Sequence, residues 1–290
     1  MRARARRVVG QLSTPWLYWL GRTLNSSAWI EAALAADRWN VRALEYKARE
    51  EGRGALLFAQ LIRAAQLSAI AGPGSGAVIK RYLSDSRSQL LQDLVCLLVV
   101  GEKRDGFFVE VGVGPGVRLS NSVLLEREFG WRGILVEPNR SFHDSIVRDR
   151  VARLDPRAAT DGKSNRVTFE ENLDDGMYSR IAATHDPAQT SRCYTVNAVK
   201  LQTILDEHDA PSTIDYMSID TEGNELDVLS GLDLAARDIM FLSVEHNFVP
   251  GRVDALDDRL LPHGYRRILP EISEIDSWFV HRSIETVGLG

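Results

Sequence analysis

Residues 106–139 read GFFVEVGVGPGVRLSNSVLLEREFGWRGILVEPN, and this stretch decides the fold. Phe107 to Val111 is a short, mostly apolar run with one acid in it. Glycines follow at alternate positions, Gly112, Gly114 and Gly116. A helical pattern then runs from Val117 to Phe129, so the order is strand, tight loop, helix. Glycine permits close backbone approach to a ligand and dihedrals that a side chain forbids. A second apolar strand, Ile134 to Val136, ends in Glu137, 25 residues past Gly112. That is near the spacing at which a nucleotide-binding α/β unit sets an acid on ribose hydroxyls.

Two cofactors compete for this loop. A dinucleotide fingerprint is G-x-G-x-x-G, whereas the spacing here is G-x-G-x-G with Glu110 two residues before the first glycine. A carboxylate at the end of the strand repels a pyrophosphate and suits the ammonium of a methionine moiety. A ligand with a positive end and a ribose is S-adenosylmethionine. The plain alternative is a glycine-rich turn in some other α/β protein.

A chain of 290 residues has room for one large α/β domain and an appendage. Charge is uneven: residues 1–80 hold 12 Lys/Arg against 5 Asp/Glu, and the remainder 23 against 35. An acidic body argues against nucleic acid as a partner, since phosphate binding needs a basic face. The two cysteines, Cys96 and Cys193, have no zinc or disulfide spacing, which fits a reducing cytosol. MRARARR at the start is followed by no apolar core suited to a signal peptide. Gln11, Ser13, Pro15, Arg22 and Asn25 interrupt any span of about 20 residues.

Residues 1–71 have helical patterns. Trp16, Leu17, Trp19 and Leu20 form one apolar cluster, Trp29, Ile30, Ala33 and Leu34 another, and Ala55 to Ala71 continues the theme. The segment is expected to pack as a helical appendage on the main domain or on a second subunit, which would make a homo-oligomer. Peripheral membrane contact is the rival use. The run Gly72-Pro73-Gly74-Ser75-Gly76 marks a boundary. The expected domains are a helical extension, 1–76, and a catalytic domain, 77–290.

Ser88 reads as an N-cap with a helix from Gln89 to Val99. Ser141 to Arg150 reads as helix, and one of Val151–Leu154 or Val167–Phe169 as the third strand. Residues 171–195 lack a period and read as a surface excursion over the site. Val199 to His208 reads as helix. Tyr216–Ile219 is the fourth strand and runs into Asp220-Thr221-Glu222-Gly223-Asn224-Glu225, three acids at a strand's carboxyl end, where open α/β sheets bind ligands. Ile239–Val244 is the fifth and ends in Glu245-His246-Asn247. Tyr265–Leu269 and Trp278–His281 are close enough to pair antiparallel. The expected fold is an α/β sheet, mostly parallel, with one reversed strand.

SQLLQDL, GFFVEVGVGPGVRLSNSVLLE, GWRGILVEPN, SIDTEGNELDVLSG and SVEHN, in that order, resemble the FkbM family of S-adenosylmethionine-dependent methyltransferases across about residues 84–281. The resemblance implies a class I methyltransferase (Rossmann-like) sheet of seven strands with the last antiparallel. It implies O-methylation of a sugar or polyketide-like small molecule. It also implies that Glu110, Gly112, Gly114 and Gly116 hold the methionine end and Glu137 the ribose, with Asn121 and Ala158 near the cofactor. Gly114-Pro115 departs from the small-then-polar pair of many members, and proline lacks an amide donor.

A hydroxyl is a poor nucleophile while protonated, so a base or a metal must act on it. His246 is the expected base for its near-neutral pKa, with Asp220 and Glu245 beside it. The same three residues are the candidates to ligate Mg. A structural histidine is the plain alternative. The expected protein is a cytoplasmic enzyme, with membrane association through its N-terminal helices as a variant, acting on a sugar or glycoconjugate hydroxyl. The rivals are a cofactor-binding partner subunit without turnover and a nicotinamide-dependent reductase.

Overall fold

The computed structural model describes residues 54–72, 74–182 and 190–285, with side chains from residue 60 onward. The tryptophan clusters expected in helices near the N-terminus lie outside these residues. Two units are distinguished, Met1–Ala69 and Ile70–Gly290. Helix α1, Gly54–Ile70, is the described part of the first. None of the described helices is long and apolar enough to cross a membrane.

The second unit starts with helices α2 (Ser75–Tyr82) and α3 (Gln92–Val100). It continues with β1 (Phe107–Val111), α4 (Val123–Phe129), β2 (Arg132–Val136), α5 (His143–Asp149) and β3 (Arg153–Asp155). Next come β4 (Ala158–Thr160), β5 (Arg166–Asn172), β6 (Arg180–Ile181), β7 (Ser191–Lys200) and α6 (Leu201–Glu207). The chain then forms β8 (Thr213–Ile219), α7 (Glu225–Ser230), β9 (Asp238–Glu245), α8 (Arg252–Leu260), β10 (Tyr265–Ile268) and β11 (Asp276–His281). Seven strands form one sheet in the order β10-β11-β9-β8-β1-β2-β3. All pairings are parallel except those of β11, which runs against both β9 and β10. This is the class I methyltransferase sheet expected from the sequence.

The apolar strands are what a sheet covered on both faces requires. Val109, Val111, Ile134, Val136, Met217, Ile219, Leu242 and Val244 share one core cluster with Leu201, Ile204 and Leu205 of α6, Val228 and Leu229 of α7, and Leu256 and Leu260 of α8. Each large side chain so buried contributes roughly 1.5–3 kcal/mol. The alternate positions Phe108, Tyr216, Phe241 and Trp278 are also buried. Tyr216 stacks on Phe241 at 5.2 Å, and its hydroxyl is 2.9 Å from Ser243 Oγ.

Several expected elements shift. The helix expected from Val117 starts only at Val123, because 117–122 are drawn into a loop around Glu110. The helix expected from Gln89 starts at Gln92, since Leu91 is left-handed at φ +66°. The third strand of the main sheet is β3, while Val167–Phe169 falls in β5 of a second sheet, β4-β7-β5-β6. The two ends of the expected excursion 171–195 are thus regular: β5 and β7 pair antiparallel from Arg166↔Asn197 to Asn172↔Ser191. Both strands are mostly polar or half-exposed there, so their period-2 signal is weak. Strand β7 also takes Val199 and Lys200 from the expected helix.

A side chain at Gly231 would run into the Thr160 carbonyl, whereas one at Gly251, φ +78°, would meet nothing within 4 Å. Gly251→Ala should therefore cost about 1–2 kcal/mol for the left-handed backbone alone. Gly231→Ala should cost more, on the order of 3 kcal/mol, because backbone must move. Denaturant unfolding of the two variants checks the order.

Candidate active site

The carboxyl ends of the central strands surround one cavity of about 350 Å³, a size typical of small-molecule sites. The loop after β1 forms one wall. Its three glycines all have positive φ, +83° at Gly112, +60° at Gly114 and +96° at Gly116. The close approaches they permit are to protein: Gly112 to the Asp220 carbonyl, Gly114 to the Met177 thioether and Gly116 to Ile146. The loop thus needs glycines for its own packing as well as for a ligand.

Glu110 reaches this wall but is 2% exposed and already engaged. It accepts hydrogen bonds from the hydroxyls of Ser120 (2.9 Å) and Ser122 and from the amide of Asn121 (2.7 Å). The Arg150 guanidinium stands 3.8 Å away. Arg150 also donates to the Gly116 carbonyl at 2.7 Å and to Ser122 Oγ at 2.7 Å, and it pairs with Glu126. Its side chain is fully buried. Sequence reading places Arg150 only at the end of a helix; nothing in its spacing marks it as the counter-ion of the loop.

Asn121 donates through Nδ2 to Ser218 Oγ at 2.9 Å, leaving its buried Oδ1 with no protein partner. Glu137 is at the end of β2 as expected. Its Oε2 accepts from the amides of Val113 and Gly114 at 3.0 and 2.8 Å, and Oε1 from Asn139 at 2.7 Å. Burial pushes its pKa up to about 7 against those amides. Ala158, the first residue of β4, lines the cavity with Phe142 and Val136. Glu110, Gly112, Gly114, Asn121, Glu137 and Ala158 therefore share one cavity; Gly116 lies just behind it, under Arg150 and Ile146.

The opposite end is acidic. Asp220, Glu222, Glu245 and Asp276 all line it. Asp220 and Glu245 are close enough to share a hydrogen bond, and each is held well above the usual carboxylate range, first by burial and then by neighbouring acids. Glu222 projects from a left-handed residue, φ +55°, just before Gly223. Glu225 does not face the cavity chemistry: it accepts from Thr221 N (3.1 Å) and Gly223 N (2.8 Å) and pairs with Arg252 at 2.6 Å, holding the loop.

His246 departs from expectation. It is absent from the cavity wall, and both ring nitrogens are committed to backbone. Nδ1 accepts from the Phe248 amide at 3.1 Å, so the proton is on Nε2, which donates to the Asp276 carbonyl at 3.0 Å. Burial lowers its pKa, keeping it neutral. The imidazole ties the end of β9 to β11, so neither nitrogen is turned to the cavity as the base or metal-ligand reading requires. Among the described residues, the group able to surround a cation is Asp220, Glu222 and Glu245, one ligand atom from each lying within 4.8 Å of the others.

The strand order, the glycine loop and the acid ending β2 together define a class I methyltransferase. The Methyltransferase FkbM domain model matches residues 110–281, and the chain belongs to that family, whose members use S-adenosylmethionine. Among solved structures, the chain is similar to the precorrin-6y C5,15-methyltransferase of Geobacter metallireducens GS-15, at 14% identity and TM-score 0.35 over 61% of this chain and 73% of that one. It is also similar to a candidate RNA methyltransferase from Pyrococcus horikoshii, at 12% identity and TM-score 0.36 over 77% and 98%. No curated protein gives a match.

Arg150→Met should destabilise the protein by about 3–5 kcal/mol, because Glu110 and Glu126 are left buried without a counter-charge; thermal or urea unfolding reads this. Glu137 supplies a pH test. With its folded pKa raised from 4.5 to about 7, its stabilising contribution is present below pH 4.5 and lost as pH rises through 7. Stability without ligand should fall over that window, and Glu137→Gln should flatten this part of the slope.

Proposed function

We propose that this protein is an S-adenosylmethionine-dependent O-methyltransferase acting on a hydroxyl of a sugar, in a glycolipid, polysaccharide or natural product. The observation that carries the reading is the Asp220–Glu245 carboxylate pair, set at the ends of β8 and β9 on the cavity that the glycine loop shares.

The residues fit the cofactor. Asn121 Oδ1 is a buried acceptor in want of a donor, which an ammonium supplies. Glu137 Oε1 carries one amide bond and keeps a lone pair for a ribose hydroxyl. Val136, Phe142 and Ala158 give an apolar bed for a flat base. Bound S-adenosylmethionine would supply an electrophilic methyl on a positively charged sulfur.

The remaining work falls to the acids. A carboxyl group whose pKa is raised is a stronger base in its ionised form, and Asp220 and Glu245 are both shifted upward by burial and neighbouring acids. One of the pair takes the acceptor's proton as the oxygen attacks, and the other stabilises it by hydrogen bonding. Gln89, Gln92 and Asn247 add amides to this end of the cavity, a lining suited to holding a polyhydroxylated acceptor in line. Gln92 is fixed for this by donating to Asp276 at 2.9 Å. A divalent cation held by these same acids would act instead by lowering the pKa of the hydroxyl.

Titration calorimetry with S-adenosylhomocysteine, then methyl transfer from labelled cofactor to a panel of sugars and glycolipids, tests the proposal. Glu245→Gln should lower turnover by roughly 10²–10⁴-fold with cofactor affinity unchanged. His246→Gln should lower the melting temperature and keep the rate, corrected for folded protein, within about tenfold. Binding of the cofactor product without transfer to any hydroxyl would favour a non-catalytic partner subunit.

A further inference from the structure

We infer that Asp220, Glu222 and Glu245 form a site for one oxygen-preferring divalent cation at the acceptor end of the cavity. Its role in methyl transfer rests on the function proposed above; its existence does not.

The first observation is geometric. One carboxylate oxygen from each residue lies within 4.8 Å of the others. Oxygens bound to Mg at about 2.1 Å are at most about 4.2 Å apart, and those bound to Ca at about 2.4 Å at most about 4.8 Å. A spacing of up to 4.8 Å is at the upper limit for one shared cation, so the three carboxylates draw together to hold Ca and draw closer still for Mg or Mn. Asp220 and Glu245 directly follow or end β8 and β9, which pair up to Ile219↔Val244, and Glu222 comes from the loop after β8 that Glu225 and Arg252 hold.

The second is an orphaned atom. Glu245 is 5% exposed, and its Oε2 is sealed from solvent with no hydrogen-bond partner. A buried carboxylate oxygen without a donor is costly, and native structures seldom leave one so. The nearby guanidiniums are used elsewhere, Arg252 on Glu225 at 2.6 Å and Arg180 on Glu170 at 3.1 Å. A proton shared by Asp220 and Glu245 relieves only part of the repulsion among three acids. A divalent cation offsets two of the three charges, one more than the shared proton does, and supplies a ligand partner for each carboxylate.

The donor set decides the ion. Three carboxylates without imidazole or thiolate suit Mg, Mn or Ca over zinc or copper, and His246 cannot join while both nitrogens serve the backbone. Three protein ligands leave positions open to the cavity, where a hydroxyl oxygen of the acceptor would bind and become more acidic.

The test uses the full chain stripped with EDTA and titrated with Mn, free Mn being read by electron paramagnetic resonance. Wild type should bind one Mn per chain, displaced by Mg or Ca. Glu222→Gln should weaken binding by about tenfold or more, and Glu245→Gln should weaken it further, while both keep S-adenosylhomocysteine affinity and a cooperative melt. His246→Asn should leave Mn affinity unchanged. No saturable Mn binding by wild-type protein that binds S-adenosylhomocysteine would overturn the site, as would full affinity in Glu222→Gln. Mn binding that depends on Glu222 in a protein that never binds the cofactor would keep the site and remove the methyl-transfer role.

Discussion

A single buried guanidinium governs the cofactor loop. Arg150 closes on the Gly116 carbonyl, on Ser122 and on two carboxylates, Glu110 and Glu126. Burying these charges is tolerable only because they meet one another and their remaining lone pairs find hydroxyls and amides. The result is a loop whose shape is set from behind, with its ligand-facing side left open. Glu110, the acid that most suggested the cofactor, is thus also the anchor of that loop.

The same economy recurs at the ends of β8 and β9. Glu225 and Arg252 fix the loop 221–223, and His246 fixes the turn after β9. Those supports leave Asp220, Glu222 and Glu245 facing the cavity together, in positions that like charges would not choose. Groups held against their preference in this way are suited to acting on protons. The supporting residues are as polar as the acting ones, and only hydrogen-bond geometry separates them.

That explains which parts were legible beforehand. Strands buried on both faces, such as FFVEV and DIMFLSVE, announce themselves as apolar runs, and the glycine loop and Glu137 follow from them by spacing. The β5–β7 pairing does not, because β-pairing on a half-exposed sheet leaves only a faint alternation in residues such as Ser191 to Thr195. His246 looked reactive because sequence shows a residue's intrinsic pKa and hides its partners; two backbone contacts from residues 248 and 276 decide its state. Arg150 was invisible for the same reason, its partners lying 24 to 40 positions away.

The contact between Met177 and Gly114 sets how the cavity opens. The second sheet reaches the cofactor loop there through an unbranched thioether resting on a residue with no side chain. Methionine has three rotatable bonds and little shape preference, so the contact can be remade by a change of rotamer. Clearance above the loop can thus change through one side chain, without a change in the backbone of either sheet.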